Sequence, residues 1–133
     1  MSPVFVDTSG IYALLVASDA FHERARAAFT GLRREDARMI TTSYVLMETY
    51  ALLQRRVGLG AVEAFRRGFA PLLDVVWVDA PIHERALDDL LERGNASVSL
   101  VDAASFVVMR ARSIERALTF DAHFQEEGFG VVA

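Results

Sequence analysis

The stretch Val4-Phe-Val-Asp7-Thr-Ser-Gly10 sets three strand-forming residues directly ahead of an acid, two hydroxyls and a glycine. A short apolar strand that passes straight into the helical pattern at 9–17 opens an α/β unit, and the chain repeats it. Met39-Ile-Thr-Thr42, Val75-Val-Trp-Val78, Arg116-Ala-Leu-Thr-Phe120 and Phe129-Gly-Val-Val132 read as further strands. Helical patterns fill 20–34, 43–57, 59–70, 81–93 and 100–112, and a short helix follows Asp121. The clearest is 81–93, with Pro81 in a first turn, Ala86, Leu87, Leu90 and Leu91 on one face, and Gly94-Asn95 as a stop. Such alternation predicts a mostly parallel sheet flanked by helices. Trp77, inside an apolar strand, is assigned to the core.

The 133 residues suit one domain, 1–133, and 53% hydrophobic with 24% charged residues describes a packed chain. No apolar run reaches the roughly 18 residues of a membrane span, and the N-terminus lacks the pattern of a secretory signal, so no membrane association and a cytoplasmic location are expected. The absence of cysteine excludes disulfides, thiolate metal sites and cysteine nucleophiles. All 14 basic residues are arginine, which excludes Schiff-base, phosphate-loop and general-base lysines. A net charge of −4 argues against a broad nucleic-acid-binding surface but leaves room for a local basic rim.

The chemistry concentrates in acids at strand ends. Asp7 follows the first strand and Asp121 the fourth, and ligands of open parallel sheets gather beyond the carboxyl ends of strands. Both acids also stand where a helix N-cap is needed, and Ser99-Leu-Val-Asp102 has the spacing of a capping box, so capping competes with catalysis at all three aspartates. Glu48 lies in a helix that carries Tyr44, Val45, Leu46, Met47, Tyr50, Ala51, Leu52 and Leu53 nearly all around, a pattern that predicts a mostly buried helix. A carboxylate there costs several kcal/mol in desolvation without a cation or good hydrogen bonds. Four acids so placed suggest a cage for Mg²⁺ or Mn²⁺, which prefer oxygen ligands and activate water for phosphodiester hydrolysis.

At these residues the chain resembles PIN-domain ribonucleases: VFVDTSG, the Glu48 helix, SLVDA and LTFDAHFQEEGF stand in the family's order along essentially the whole chain. The resemblance implies a five-stranded, mostly parallel sheet with helices on both faces. It also implies metal coordination by Asp7, Glu48, Asp102 and Asp121, with Thr8 and Ser99 as polar accessories. Single-domain members of this size are typically VapC-type toxins of VapBC toxin-antitoxin pairs. The resemblance therefore implies an Mg²⁺- or Mn²⁺-dependent endoribonuclease, an RNA substrate, a small antitoxin as partner and a homodimer.

Other features carry less. His123 falls where the family often has a histidine, and is read first as structural or rim, second as a ligand; His22 and His83 are read as solvated. Three arginine groups are candidates for an RNA path: Arg33, Arg34 and Arg38; Arg55, Arg56, Arg66 and Arg67; Arg110, Arg112 and Arg116. Phe21, Phe65 and Phe69 suit either a partner face or the core. Alternatives are a PIN-type RNA-processing or DNA nuclease without an antitoxin, and a degenerate binding module whose acids only cap helices. A receiver-like signalling domain also gathers acids around Mg²⁺, but needs a lysine that this chain lacks.

Overall fold

Val4, Phe5 and Val6 point alternately to opposite faces of a strand, yet all three are fully buried, so both faces of the sheet are covered. In the computed structural model, which describes residues 2–133, that strand is β1 (Pro3–Val6). The others are β2 (Arg38–Thr42), β3 (Asp74–Val76), β4 (Arg116–Leu118) and β5 (Gly130–Val131). They form one sheet in the order β3-β2-β1-β4-β5, with every pairing parallel. The helices are α1 (Thr8–Leu15), α2 (His22–Arg34), α3 (Ser43–Arg56), α4 (Leu59–Gly68), α5 (Ala80–Arg93), α6 (Leu100–Ala111) and α7 (Ala122–Glu126), with a 3₁₀ turn at Ala70–Leu72. This is the α/β architecture expected from the alternation. Among the described residues no helix is long and apolar enough to cross a membrane.

The strand order matters more than the strand count. From β1 the chain moves outward to β2 and β3, then returns to β4 on the other side of β1. The carboxyl ends of β1 and β4 therefore flank the point where the winding reverses, and a crevice opens there. Asp7 extends β1, its N–H donating to Leu118 O at 3.1 Å. Helix α1 rides directly on β4: a Cβ placed on Gly10 would lie 2.4 Å from Leu118 O, so only glycine allows this approach.

Caps fix the other entry points. Thr42 accepts from Val45 N at 3.1 Å, so β2 turns into α3 without a loop, and Asp79 accepts from Ile82 N at the start of α5. Gly94 takes the left-handed conformation, φ 63°, that ends α5 where the Gly-Asn stop predicts.

Three expectations are corrected. Trp77 is 72% exposed, because β3 ends at Val76 and the chain leaves the sheet before the indole. Leu91, assigned to the buried face of α5, is also exposed, leaving Ala86 as the fully buried residue of that helix. Helix α3 is not mostly buried: Val45, Leu46, Thr49 and Leu53 face inward while Met47 is 64% exposed. Apolar residues on its outer side mimic a core helix in sequence.

Candidate active site

A cleft of about 360 Å³ lies beyond the carboxyl ends of β1 and β4, and all four predicted acids, Asp7, Glu48, Asp102 and Asp121, line it. Thr8 and Ser99 line it too. Each acid arrives on a separate element: Asp7 from the β1–α1 junction, Glu48 from α3, Asp102 from the first turn of α6, and Asp121 from the β4–α7 junction.

Capping accounts for only part of this. Ser99 and Asp102 form the capping box, with Asp102 N donating to Ser99 Oγ at 3.0 Å and Ser99 N to Asp102 Oδ2 at 3.3 Å. Asp121 Oδ1 accepts from His123 N at 2.9 Å and so caps α7. Asp7 precedes α1 but makes no side-chain cap bond. Its Oδ2 accepts instead from Ser9 Oγ at 3.1 Å and Thr119 Oγ1 at 3.0 Å. These hydroxyls are themselves held in place: Ser9 Oγ accepts from Phe120 N at 2.8 Å, and Thr119 Oγ1 from Asp121 N at 3.0 Å. Sequence reasoning passed over both, although each stands two residues from a singled-out acid, in Asp7-Thr-Ser9 and Thr119-Phe-Asp121.

The electrostatics are those of crowded like charge. Asp7 is only 3% exposed. Burial, and then the charge of Asp102, push its pKa from 3.8 up to about 7 against the pull of the Thr119 and Ser9 hydroxyls. Burial also raises the pKa of Asp102, reinforced by the charges of Asp121 and Glu48; the Ser99 amide and His123 oppose this. Asp102 thus sits within electrostatic reach of the other three acids. Glu48 is half-buried at the cleft wall, shallower than the sequence implied.

His123 is closer to the acids than a rim residue. Its Nδ1 lies 2.9 Å from Asp121 Oδ1 and 3.6 Å from Asp102 Oδ2. Ligand atoms of Asp102, Asp121 and His123 all fall within 4.8 Å of one another, and among the described residues no other set of three or more potential metal ligands is so tight. Asp7 and Glu48 lie outside that set, elsewhere along the same cleft. Thr8 is buried, its hydroxyl 3.5 Å from Val45 O, and it ties α1 to α3.

The mouth is aromatic and carries charge of both signs, Asp19 and Arg56. Phe21 and Phe120 line it and stack with centroids 4.6 Å apart and planes 7° from parallel. Arg24 lies over both rings, at 5.5 and 5.3 Å, and Arg56 lies over Tyr12 at 5.6 Å. Of the predicted arginine groups, only the second reaches the cleft, through Arg56. Arg38, Arg110 and Arg116 pair with Asp74, Glu127 and Glu35. Arg24 was missed because its role depends on Phe120, distant in sequence. Phe21 serves the mouth, whereas Phe65 and Phe69 are core. His22 and His83 are half-buried and hydrogen-bonded, to Ala13 O at 2.8 Å and to the Tyr44 hydroxyl respectively.

A parallel sheet whose winding reverses at a crevice lined by acids defines an α/β protein with a carboxylate-lined site at its switch point. The PIN domain model matches residues 4–129, and the chain belongs to that family. It is 37% identical over 127 residues to the 23S rRNA-specific endonuclease VapC20 of Mycobacterium tuberculosis, covering 95% of each chain. The crystal structure of that protein, described as a sarcin-ricin loop cleaving toxin, superposes with a TM-score of 0.84 at 36% identity over 95% of both chains. The fold is also shared with VapBC2 from Rickettsia felis bound to a promoter DNA fragment, at a TM-score of 0.71 and 11% identity, over 97% of this chain and 96% of that one.

Proposed function

We propose that this protein is a divalent-metal-dependent endoribonuclease that cuts ribosomal RNA and acts as the toxin of a toxin-antitoxin pair. The observation that carries the reading is Asp7: a buried carboxyl without a side-chain cap bond, crowded by a second acid, whose charged form is costly to the fold unless a cation relieves it. Hard oxygen donors of this kind fit Mg²⁺ or Mn²⁺. Asp7, Glu48, Asp102 and Asp121 would hold the ion or ions, directly or through water.

When bound, such an ion lowers the pKa of a water and offsets charge on the phosphodiester in its transition state. The chain's own part is placement. Ser9 and Thr119 fix the Asp7 carboxylate and keep one of its oxygens occupied. The capping box holds Asp102, and the α7 cap holds Asp121. Phe21 and Phe120 offer a ring face on which an unpaired base can stack, and Arg24 and Arg56 meet the phosphates, so a looped RNA strand is favoured over a regular duplex. Cleavage of a ribosomal RNA hairpin should require Mg²⁺ or Mn²⁺, stop in EDTA, and leave 5′-phosphate and 3′-hydroxyl ends. Full activity in chelator, or cyclic phosphate products, would refute the assignment.

Partner and assembly follow from two further grooves. One, about 440 Å³, is apolar and lined by Leu15, Val16, Leu53, Val57, Phe65 and Phe69. It shares α3 with the cleft, so an amphipathic antitoxin segment seated there could extend a basic side chain to the acids. The other, lined by Leu46, Met47, Tyr50, Ala51 and Trp77 among others, carries no charged residue and suits self-association. Light scattering should report a homodimer that Trp77→Ser converts to monomer; an unchanged mass would remove that assignment. A cytoplasmic location belongs to the same reading, since that is where ribosomes are met.

A further inference from the structure

His123 is tethered at one ring nitrogen and unanswered at the other. Asn95 Oδ1 accepts from both Ser97 N, at 3.0 Å, and Ser97 Oγ, at 2.7 Å, which commits the only hydrogen of the Ser97 hydroxyl. The 3.1 Å contact between Ser97 Oγ and His123 Nε2 must then be donated by the imidazole. In the neutral ring that bond puts the lone pair on Nδ1. Nδ1 is buried and has no hydrogen-bond partner, although Asp121 Oδ1 is 2.9 Å away and Asp102 Oδ2 3.6 Å away.

A lone pair held against two carboxylates is repulsive unless a proton or a metal ion lies between them, and the lack of an aligned hydrogen bond at Nδ1 favours the metal ion. The geometry suits one. Two adjacent ligands on an ion, each about 2.1 Å from it, stand about 3 Å apart, and each lone pair then points beside the other ligand rather than at it. That gives a close approach without an aligned hydrogen bond, as found between Nδ1 and Asp121 Oδ1. Asp121 Oδ1 and Asp102 Oδ2 each accept one backbone N–H and keep a second lone pair. Metal-bound histidines usually donate their other ring nitrogen to an orienting acceptor, the part Ser97 plays here.

We propose that His123, through Nδ1, completes with Asp102 Oδ2 and Asp121 Oδ1 a nitrogen-containing site for a divalent transition ion at the Asp121 end of the cleft. A nitrogen ligand favours first-row transition ions over Mg²⁺, least for Mn²⁺ and more for its heavier neighbours, so His123 biases the choice of ion. The inference rests on the carboxylate reading above and adds a ligand to it.

Mn²⁺ itself is the probe. Pulsed EPR on the whole chain loaded with Mn²⁺ should show hyperfine coupling to a directly bound imidazole nitrogen. The coupling should vanish in His123→Gln. By calorimetry, that variant should lose about tenfold or more in Mn²⁺ affinity while Mg²⁺ affinity changes by less than about threefold. Because the coupling is read on the unaltered chain, the test survives a variant that folds poorly. Bound Mn²⁺ with only oxygen ligands, or a nitrogen signal that persists in His123→Gln, overturns the role of His123 and leaves the four-carboxylate reading standing. No Mn²⁺ binding at millimolar concentration overturns both.

Discussion

Two clusters of charge lie at opposite ends of α6, and they are built on contrary principles. At its first turn, Asp102 faces Asp7, Glu48 and Asp121, and no arginine pairs with any of the four among the described residues. Near its end, Arg110 joins Arg93, Asp89 and Glu127 in a network in which every charge has an opposite partner. Arg93 donates to Glu127 through both terminal nitrogens, to Asp89 at 2.7 Å, and lies over the Phe106 ring. The pKa values move in opposite directions: Asp7 is raised to about 7, and Glu127, held by Arg93 and Arg110, is lowered to about 2. One cluster pairs each charge with an opposite one; the other gathers like charges with only His123 and neutral donors beside them. Stability and function should therefore separate when each is cut.

The largest effect is expected on catalysis. Asp7→Asn, Asp102→Asn, Asp121→Asn and Glu48→Gln should each slow RNA cleavage at least about 100-fold, near 3 kcal/mol of transition-state stabilisation. An amide oxygen can still accept from Ser9 and Thr119, so Asp7→Asn should melt in EDTA no lower than the parent. Mg²⁺ should raise the melting temperature of the parent and leave the variants nearly unmoved. Wild-type cleavage by Asp7→Asn would erase the contrast between the clusters.

Next comes the pH dependence of the metal-free protein. Because the folded pKa of Asp7 is raised, its contribution is full below the unfolded value of 3.8 and is lost as pH rises through about 7. Chemical denaturation in EDTA should lose about 2 kcal/mol from this group between about pH 5.5 and 7.5, and Asp7→Asn should flatten that slope. An equal slope in both proteins would place the strain elsewhere.

Glu127 gives the opposite sign. Its lowered pKa contributes stability that is present above 4.5 and lost as pH falls toward 2. Glu127→Gln should cost about 1–2 kcal/mol at neutral pH, soften the acid transition, and leave cleavage intact. The smallest effect belongs to Arg110→Gln: its side chain is 51% exposed, so losing the pair should cost about 0.5 kcal/mol or less in urea titrations, and less still at high salt.

Much of the architecture was legible because it is local. Val4–Val6 and Met39–Thr42 are continuous strand formers, and Pro81 and Gly94 mark α5 unambiguously. Strand order is not local, and the juxtaposition of β1 with β4 depends on a crossover spanning most of the chain. For the same reason the four acids could be picked out, but not the hydroxyls that hold Asp7, since Thr119 reaches it across 112 positions. Trp77 and Met47 misled because apolar character does not say which way a residue points once a strand has ended or a helix has an uncovered side. His123 was read first as structural or rim because Asp121, two residues before it, reads as a helix cap, and Asp102, distant in sequence, cannot be placed beside it without the fold.

The contact at Gly10 carries a mechanical consequence. At Gly10 the backbone of α1 meets Leu118 of β4 with no room for a methyl group, so at this point the two elements move as one part beneath the loops that hold Asp7 and Asp121. Most sheets leave a cushion of side chains that can yield by a few tenths of an ångström. Here the tolerance between the two carboxylates is set by backbone against backbone, so a single methyl group at position 10 acts as a shim driven under one jaw of the site.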